Sequence, residues 1–182
     1  MPLPVGELRR GRIVYGVYPF ASQFPSDLAD GTTLSTVEDF VRRFKGSPAA
    51  LQTEVRLRPL LLLHNGTRGD HHDVACLRIN SVKDRHRRSE SWERITRHEH
   101  PFFFHLPRDV RYGLPLESIV AVNSVGTIHK SAIPDLRVLG ELNLHEMQIV
   151  SERLARALSL DLAPLIVQKA QQLLRQAGVE HP

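Results

Sequence analysis

Residues 56–83 read RLRPLLLLHNGTRGDHHDVACLRINSVK, two apolar runs separated by a polar loop. Arg58 opens the first run just ahead of Pro59, and Asn80 and Ser81 close the second. The proline biases Arg58 towards extended backbone, so its guanidinium can project from the mouth of a strand. A fixed cation, an amide and a hydroxyl at the ends of neighbouring buried segments are a polar set that only adjacent strands can gather. The plain alternative is a solvated arginine at a strand start and a turn at Asn80–Ser81. The segment that follows, KDRHRRSESWERITRH, carries Lys83, Arg85, Arg87, Arg88, Arg94 and Arg97 against Asp84, Glu90 and Glu93. Basic side chains around one aromatic, Trp92, suit a single-stranded polyanion, with arginines on phosphates and the indole as a stacking surface. Arg111 extends that surface if the fold brings it near; the alternative is a loop whose Glu and Arg side chains pair with each other.

Histidines offer other chemistry. His64 ends the LLLLH run, where it is either a general base or an ordinary strand-end residue. DHHD at 70–73 and HEHPFFFH from His98 to His105 raise metal binding, and in a strand His98 and His100 would share a face. No third ligand is fixed by spacing, so neither a metal nor any other cofactor is expected. Cys76, alone in the sequence, reads as a small buried side chain, excludes an internal disulfide and fits a reducing compartment.

These groups need a scaffold. GRIVYGVYPF is a strand ended by Pro19, EVRLRPLLLLHN a second whose unbroken apolar run implies burial on both faces, and VACLRINSV a third. Short strands follow at PFFFHLP and within ESIVAVNSVGTIHKSAI. Between the first two, 21–54 is an excursion with one short helix, STVEDFVRRFKGSP, for which Ser35 and Glu38 make a capping box. From Asn143, Leu144, Met147, Ile149, Val150, Leu154 and Leu158 recur at helical spacing, with Asn143 as N-cap and Glu146 completing a capping box. A further helix is expected at 161–178. Five or six short strands without intervening helices predict a mainly β fold with helices, an antiparallel barrel or sandwich and not a βαβ sheet. A chain of 182 residues is then one domain with additions, and its net charge of +4 is compatible with an anionic partner without requiring one. The longest apolar run is too short to span a bilayer and the N-terminus lacks a signal core, so the protein is expected in the cytoplasm, off the membrane.

Taken in order, RGRIVYGVYPF, RLRPLLLLHN, VACLRINS, YGLPLESIVAVNSVGTIHKSAI and LGELNLHEMQIVSERLARAL resemble the PemK/MazF family of toxin endoribonucleases from toxin–antitoxin modules. The resemblance spans about residues 9–160. It implies a small SH3-like antiparallel β-barrel with a C-terminal helix; the helix inserted within 21–54 and the second C-terminal helix, 161–178, are additional to the family pattern. It implies a homodimer with a cognate antitoxin that cuts single-stranded RNA without a metal, by activating the ribose 2′-OH against the adjacent phosphate. The family's Arg-Pro corresponds to Arg58, and Asn80 and Ser81 stand where the family has a hydroxyl residue, so these three are the implied catalytic set. Arg85, Arg87, Arg88, Trp92 and Arg111 are the expected RNA contacts. The sequence departs from the pattern where Asn123 stands for an acidic residue, Gly126 for an arginine, His129 for an aspartate and Arg12 for the acidic residue after Arg-Gly. Those departures leave open a module that binds RNA without cutting it, or one that acts on a protein as the related CcdB-like toxins act on gyrase.

Overall fold

The computed structural model describes residues 8–19, 25–45, 47–63, 72–134, 138–160, 167–169 and 172. Among the described residues, eight strands and the helices α1 to α4 run in the order β1 (Arg12–Pro19), β2 (Ser26–Asp27), β3 (Thr33–Leu34), α1 (Val37–Phe44), β4 (Val55–Leu62), β5 (Asp73–Ser81), α2 (Asp84–Arg87), α3 (Trp92–Thr96), β6 (Phe103–Leu106), β7 (Ser118–His129), β8 (Val138–Glu141) and α4 (Leu144–Ala157). Six strands form one antiparallel sheet, ordered β6-β7-β5-β4-β1-β8, and β2 and β3 form a separate hairpin. The mainly β architecture with helices is therefore as the sequence predicts.

Closure into a barrel is not seen among the described residues, where β6 and β8 stand at opposite edges of the sheet. A turn at Val110–Tyr112 packs backbone to backbone against β8 in place of a closing strand. The approach is so close that a Cβ on Gly113 would lie 1.9 Å from the Leu139 carbonyl oxygen, and Gly113 also has a φ of +61°, which makes glycine necessary there.

The run Leu60–Leu62 is buried on both faces, as its unbroken apolar character implies. Leu61 joins Ile13, Leu77, Phe104, Val120 and Tyr112 beneath α4, which contributes Met147 and Val150. Leu60 and Leu62 join Val14, Val74, Cys76 and Ile128 on the other face, under Leu8 and Ile133. Burial pushes the Cys76 thiol up to about 11, consistent with a packing role.

Asn143 caps α4 as expected, accepting the Glu146 N–H at 2.9 Å while the Glu146 carboxylate accepts the Asn143 N–H at 2.8 Å. Leu144, expected on the buried face, is 92% exposed, because the inward stripe runs through Met147, Val150, Arg153 and Ala155. The cap of α1 is Thr36, whose hydroxyl accepts from Asp39 N–H at 3.2 Å, and not Ser35. The basic segment after Lys83, to which the sequence pattern assigns no element, folds into α2 and α3. Of the helix expected at 161–178, Val167–Lys169 and Gln172 are helical and the rest lies outside the described residues, as do His64, Asp70 and His71.

Candidate nucleic-acid cleft

Strands β4 and β5 pair at Leu60–Arg78, Leu61–Leu77 and Leu62–Cys76. Past Leu60–Arg78 that ladder stops: Val55–Pro59 pairs with β1, whereas Ile79–Ser81 pairs with Val120–Ser118 of β7. The sheet forks here, and a cleft of about 800 Å³ occupies the fork. Extending the Leu60–Arg78 register by two residues sets Arg58 across from Asn80 on one face. Their side chains meet, Arg58 Nη1 donating to Asn80 Oδ1 at 3.3 Å. Ser81 also lines the cleft, lying across from Ser118, but strand alternation places Asn80 and not Ser81 on the Arg58 face.

The wall has one sign of charge. Arg56, Arg58, Arg78, Lys83 and Arg85 all line the cleft, joined by His86, and no Asp or Glu is among its described lining residues. Arg56 is tied to Glu54 at 2.7 Å outside it. A concave, low-dielectric wall carrying cations without carboxylates concentrates positive potential on whatever enters. Asn80, Ser81, Ser118, Asn123 and Ser124 add neutral donors and acceptors, while Tyr15, Leu57, Leu114 and Leu116 supply apolar surface. His86 Nδ1 accepts the Lys83 N–H at 2.9 Å, so the neutral ring carries its proton on Nε2. Desolvation, with Arg85 and Lys83 nearby, pushes the His86 pKa down and favours that neutral form.

Arg78 is the largest omission of the sequence reading. It sits where the β5–β7 register jumps, the step from Leu77 to Ile79 being met by the step from Val125 back to Val120. The extra β7 residues bulge towards the cleft and carry Asn123 and Ser124 with them. Arg78 Nη2 donates to Ser124 Oγ, and the guanidinium lies over the Tyr18 ring at 5.7 Å. An arginine interrupting the apolar run VACLRI was the available signal. Gly126 is explained by the same cluster: a Cβ there would lie 2.1 Å from Tyr18 Oη, so the space that a side chain at 126 would need belongs to Tyr18.

The other sequence candidates are placed differently. Arg85 lines the cleft. Arg87 is ion-paired with Glu117, whose other oxygen is 2.8 Å from His105 Nε2, and Arg88 is exposed. Trp92 packs edge-on against His105, with centroids 5.5 Å apart, and is not a cleft-lining residue. Arg111 is held by Glu146 at 2.9 Å beside Tyr112, also outside the lining. His129 Nδ1 is 2.6 Å from Ser131 Oγ, and the ring stacks on His72. His98 stacks on Phe104 and His100 on Phe103, and among the described residues no group of three His, Cys, Asp or Glu could hold a metal. No described helix is long and apolar enough to cross a membrane.

The chain is similar in outline to mycobacterial endoribonuclease toxins. A mycobacterial endoribonuclease solved in complex with its cognate antitoxin aligns at 19% identity and a TM-score of 0.44, over 84% of this chain and 96% of that one. A second mycobacterial endoribonuclease aligns at 23% identity and a TM-score of 0.40, over 57% and 82%. The Mycobacterium tuberculosis toxin MazF-mt6 aligns at 21% identity and a TM-score of 0.41, over 58% and 90%. No protein-family model and no curated protein matches the sequence.

Proposed function

We propose that this protein is a toxin of a toxin–antitoxin module, a metal-independent endoribonuclease of the PemK/MazF kind that cuts single-stranded RNA at preferred sequences. The observation that carries the reading is the Arg58–Asn80 bond across a fork whose described lining residues include five fixed cations and no carboxylate. The ribose 2′-oxygen forms a bond to phosphorus, the bond from phosphorus to the 5′-oxygen breaks, and the products are a 2′,3′-cyclic phosphate and a 5′-hydroxyl. The 2′-OH loses its proton to an acceptor and the departing 5′-oxygen gains one. Arg58 stabilises the charge that builds on the phosphoryl oxygens, and Asn80, accepting one of its N–H groups, fixes the guanidinium for that task. Ser81 and the Nε2–H of His86 orient the scissile group from the same wall. The accompanying partners are a cognate antitoxin that covers the cleft and a second copy of the chain, in the cytoplasm.

The test is to incubate the protein with a long unstructured RNA in excess EDTA and map the ends. Cleavage leaving 2′,3′-cyclic phosphate is expected, and Arg58→Ala reduces its rate by about 10²–10³-fold, the loss typical of one charge-stabilising donor. Intact RNA at high protein concentration defeats the reading. A second reading is favoured by Asn123, an amide in the cleft wall where the resemblance implies an acid: RNA is then bound without being cut. Salt-dependent binding with no new ends identifies that outcome.

A further inference from the structure

We infer that Arg78 is a second phosphate clamp, gripping the backbone phosphate next to the one held by Arg58. This rests on the nuclease reading and deepens it by fixing how the strand lies in the cleft.

Three features assign the role. The first is position: Arg78 pairs with Leu60, and Arg58 lies two residues further along β4 on the same face. The two residues are thus diagonal neighbours on the cleft wall, their backbones about 7–8 Å apart in a paired ladder and further as the strands part. A single nucleotide step along an extended strand covers such a span. The second is support. Ser124 accepts from Nη2, Tyr18 lies beneath the guanidinium, and Gly126 leaves the space that Tyr18 fills. Residues from β1 and β7 thereby orient one side chain of β5.

The third is charge. Among the described residues no carboxylate pairs with Arg78, and its Nε is buried without a hydrogen-bond partner. A half-buried guanidinium without a counter-ion is costly to keep, and an anion arriving in the cleft relieves that cost. With one terminal N–H engaged by Ser124, Arg78 presents a fixed charge more than a free fork for a base edge. A phosphate is therefore the ligand it fits.

The experiment uses the full-length protein and an unstructured oligonucleotide with a 2′-O-methyl group at every position, which has no nucleophile and cannot be cut. Affinity is measured over a series of salt concentrations for several base compositions. In Arg78→Gln the slope of log K against log salt shrinks by about 0.7, the value for one lost phosphate contact on a single strand. Affinity falls equally for all compositions, while Arg78→Lys keeps the slope. Ser124→Ala leaves the apolar core untouched and serves as the second variant, its loosened guanidinium weakening binding several-fold for every composition. A wild-type slope in folded Arg78→Gln and unchanged affinity in Ser124→Ala, together with a reduced slope in Arg58→Gln, overturn the inference and leave the nuclease reading standing. A loss confined to some compositions identifies base reading and also overturns it. No binding by the wild type, or an unchanged slope in Arg58→Gln, removes the reading of the cleft and this inference with it.

Discussion

Arginines serve two opposite ends in this molecule. Under α4, Arg153 is buried, and its guanidinium donates to the Phe103 carbonyl at 2.7 Å and to that of His98, while Arg111 is neutralised by Glu146. In the fork, Arg58 donates to an amide and Arg78 to a hydroxyl, and among the described residues no acidic side chain lines the wall. Both regions are built on the same sheet from the same residue type. What separates the two sets is the partner on view: backbone carbonyls hold Arg153 and a carboxylate holds Arg111, whereas an amide aims Arg58 and a hydroxyl aims Arg78.

The largest expected effect tests that division directly. Replacing Arg153 by Ala leaves two carbonyls in the α4 region without their donor, at about 1–3 kcal/mol each when buried. Thermal unfolding of Arg153→Ala is expected several degrees below wild type, with RNA cleavage per folded molecule unchanged. Arg58→Ala is expected to do the reverse, losing cleavage at nearly constant Tm, because a partly exposed side chain with an amide partner contributes little to folding. Equal losses of stability in both variants would erase the distinction.

The same division explains what the sequence could reveal. Alternation and the double-sided run Leu60–Leu62 disclosed the sheet, and the Asn143–Glu146 pair disclosed the start of α4, because both are local signals with a fixed period or spacing. Arg58 and Asn80 were legible as strand-end polar residues next to apolar runs. Arg78 was not, since its meaning depends on a bulge in β7, 43–46 residues later, that brings Ser124 to it. Arg111 and Trp92 stand outside the cleft lining for the complementary reason: Glu146 and His105, which they contact, are brought there by the tertiary fold. The open edge between β6 and β8 escaped because closure depends on how the Val110–Tyr112 turn meets β8, a contact that strand patterns do not encode.

A middle-sized effect sharpens the comparison within the basic residues themselves. Arg85 lines the cleft and Arg111 does not. Arg85→Ala is expected to reduce the salt dependence of oligonucleotide binding by about 0.7 in slope, and Arg111→Ala to leave it unchanged within error while freeing Glu146. Equal slopes for these two variants would mean that the basic surface acts as a diffuse whole and that the cleft lining has no special standing.

The smallest effect is a pH dependence, and its sign follows from which region holds the histidines. His98 and His100 lie beside Arg153, and desolvation first, with nearby arginines second, lowers the pKa of each. His86, in the cleft wall, is lowered by desolvation and by Arg85 and Lys83. The unfolded chain, whose histidines titrate near about pH 6.5, therefore binds more protons than the folded one just below that value. Their contribution to stability is complete above about pH 6.5 and is lost as pH falls through the depressed folded values. The two regions are distinguishable by adding the 2′-O-methyl oligonucleotide: phosphates in the cleft favour His86 in its charged form and reduce its share of the acid sensitivity, but leave that of His98 and His100 in place. His98 has a φ of +56°, a conformation that Asn tolerates well, so His98→Asn removes a titrating ring with little backbone cost. The variant is expected to show a shallower fall of Tm below about pH 6.5 than the wild type, with or without oligonucleotide. A fall as steep as the wild type's would place the pH-sensitive groups outside the α4 region.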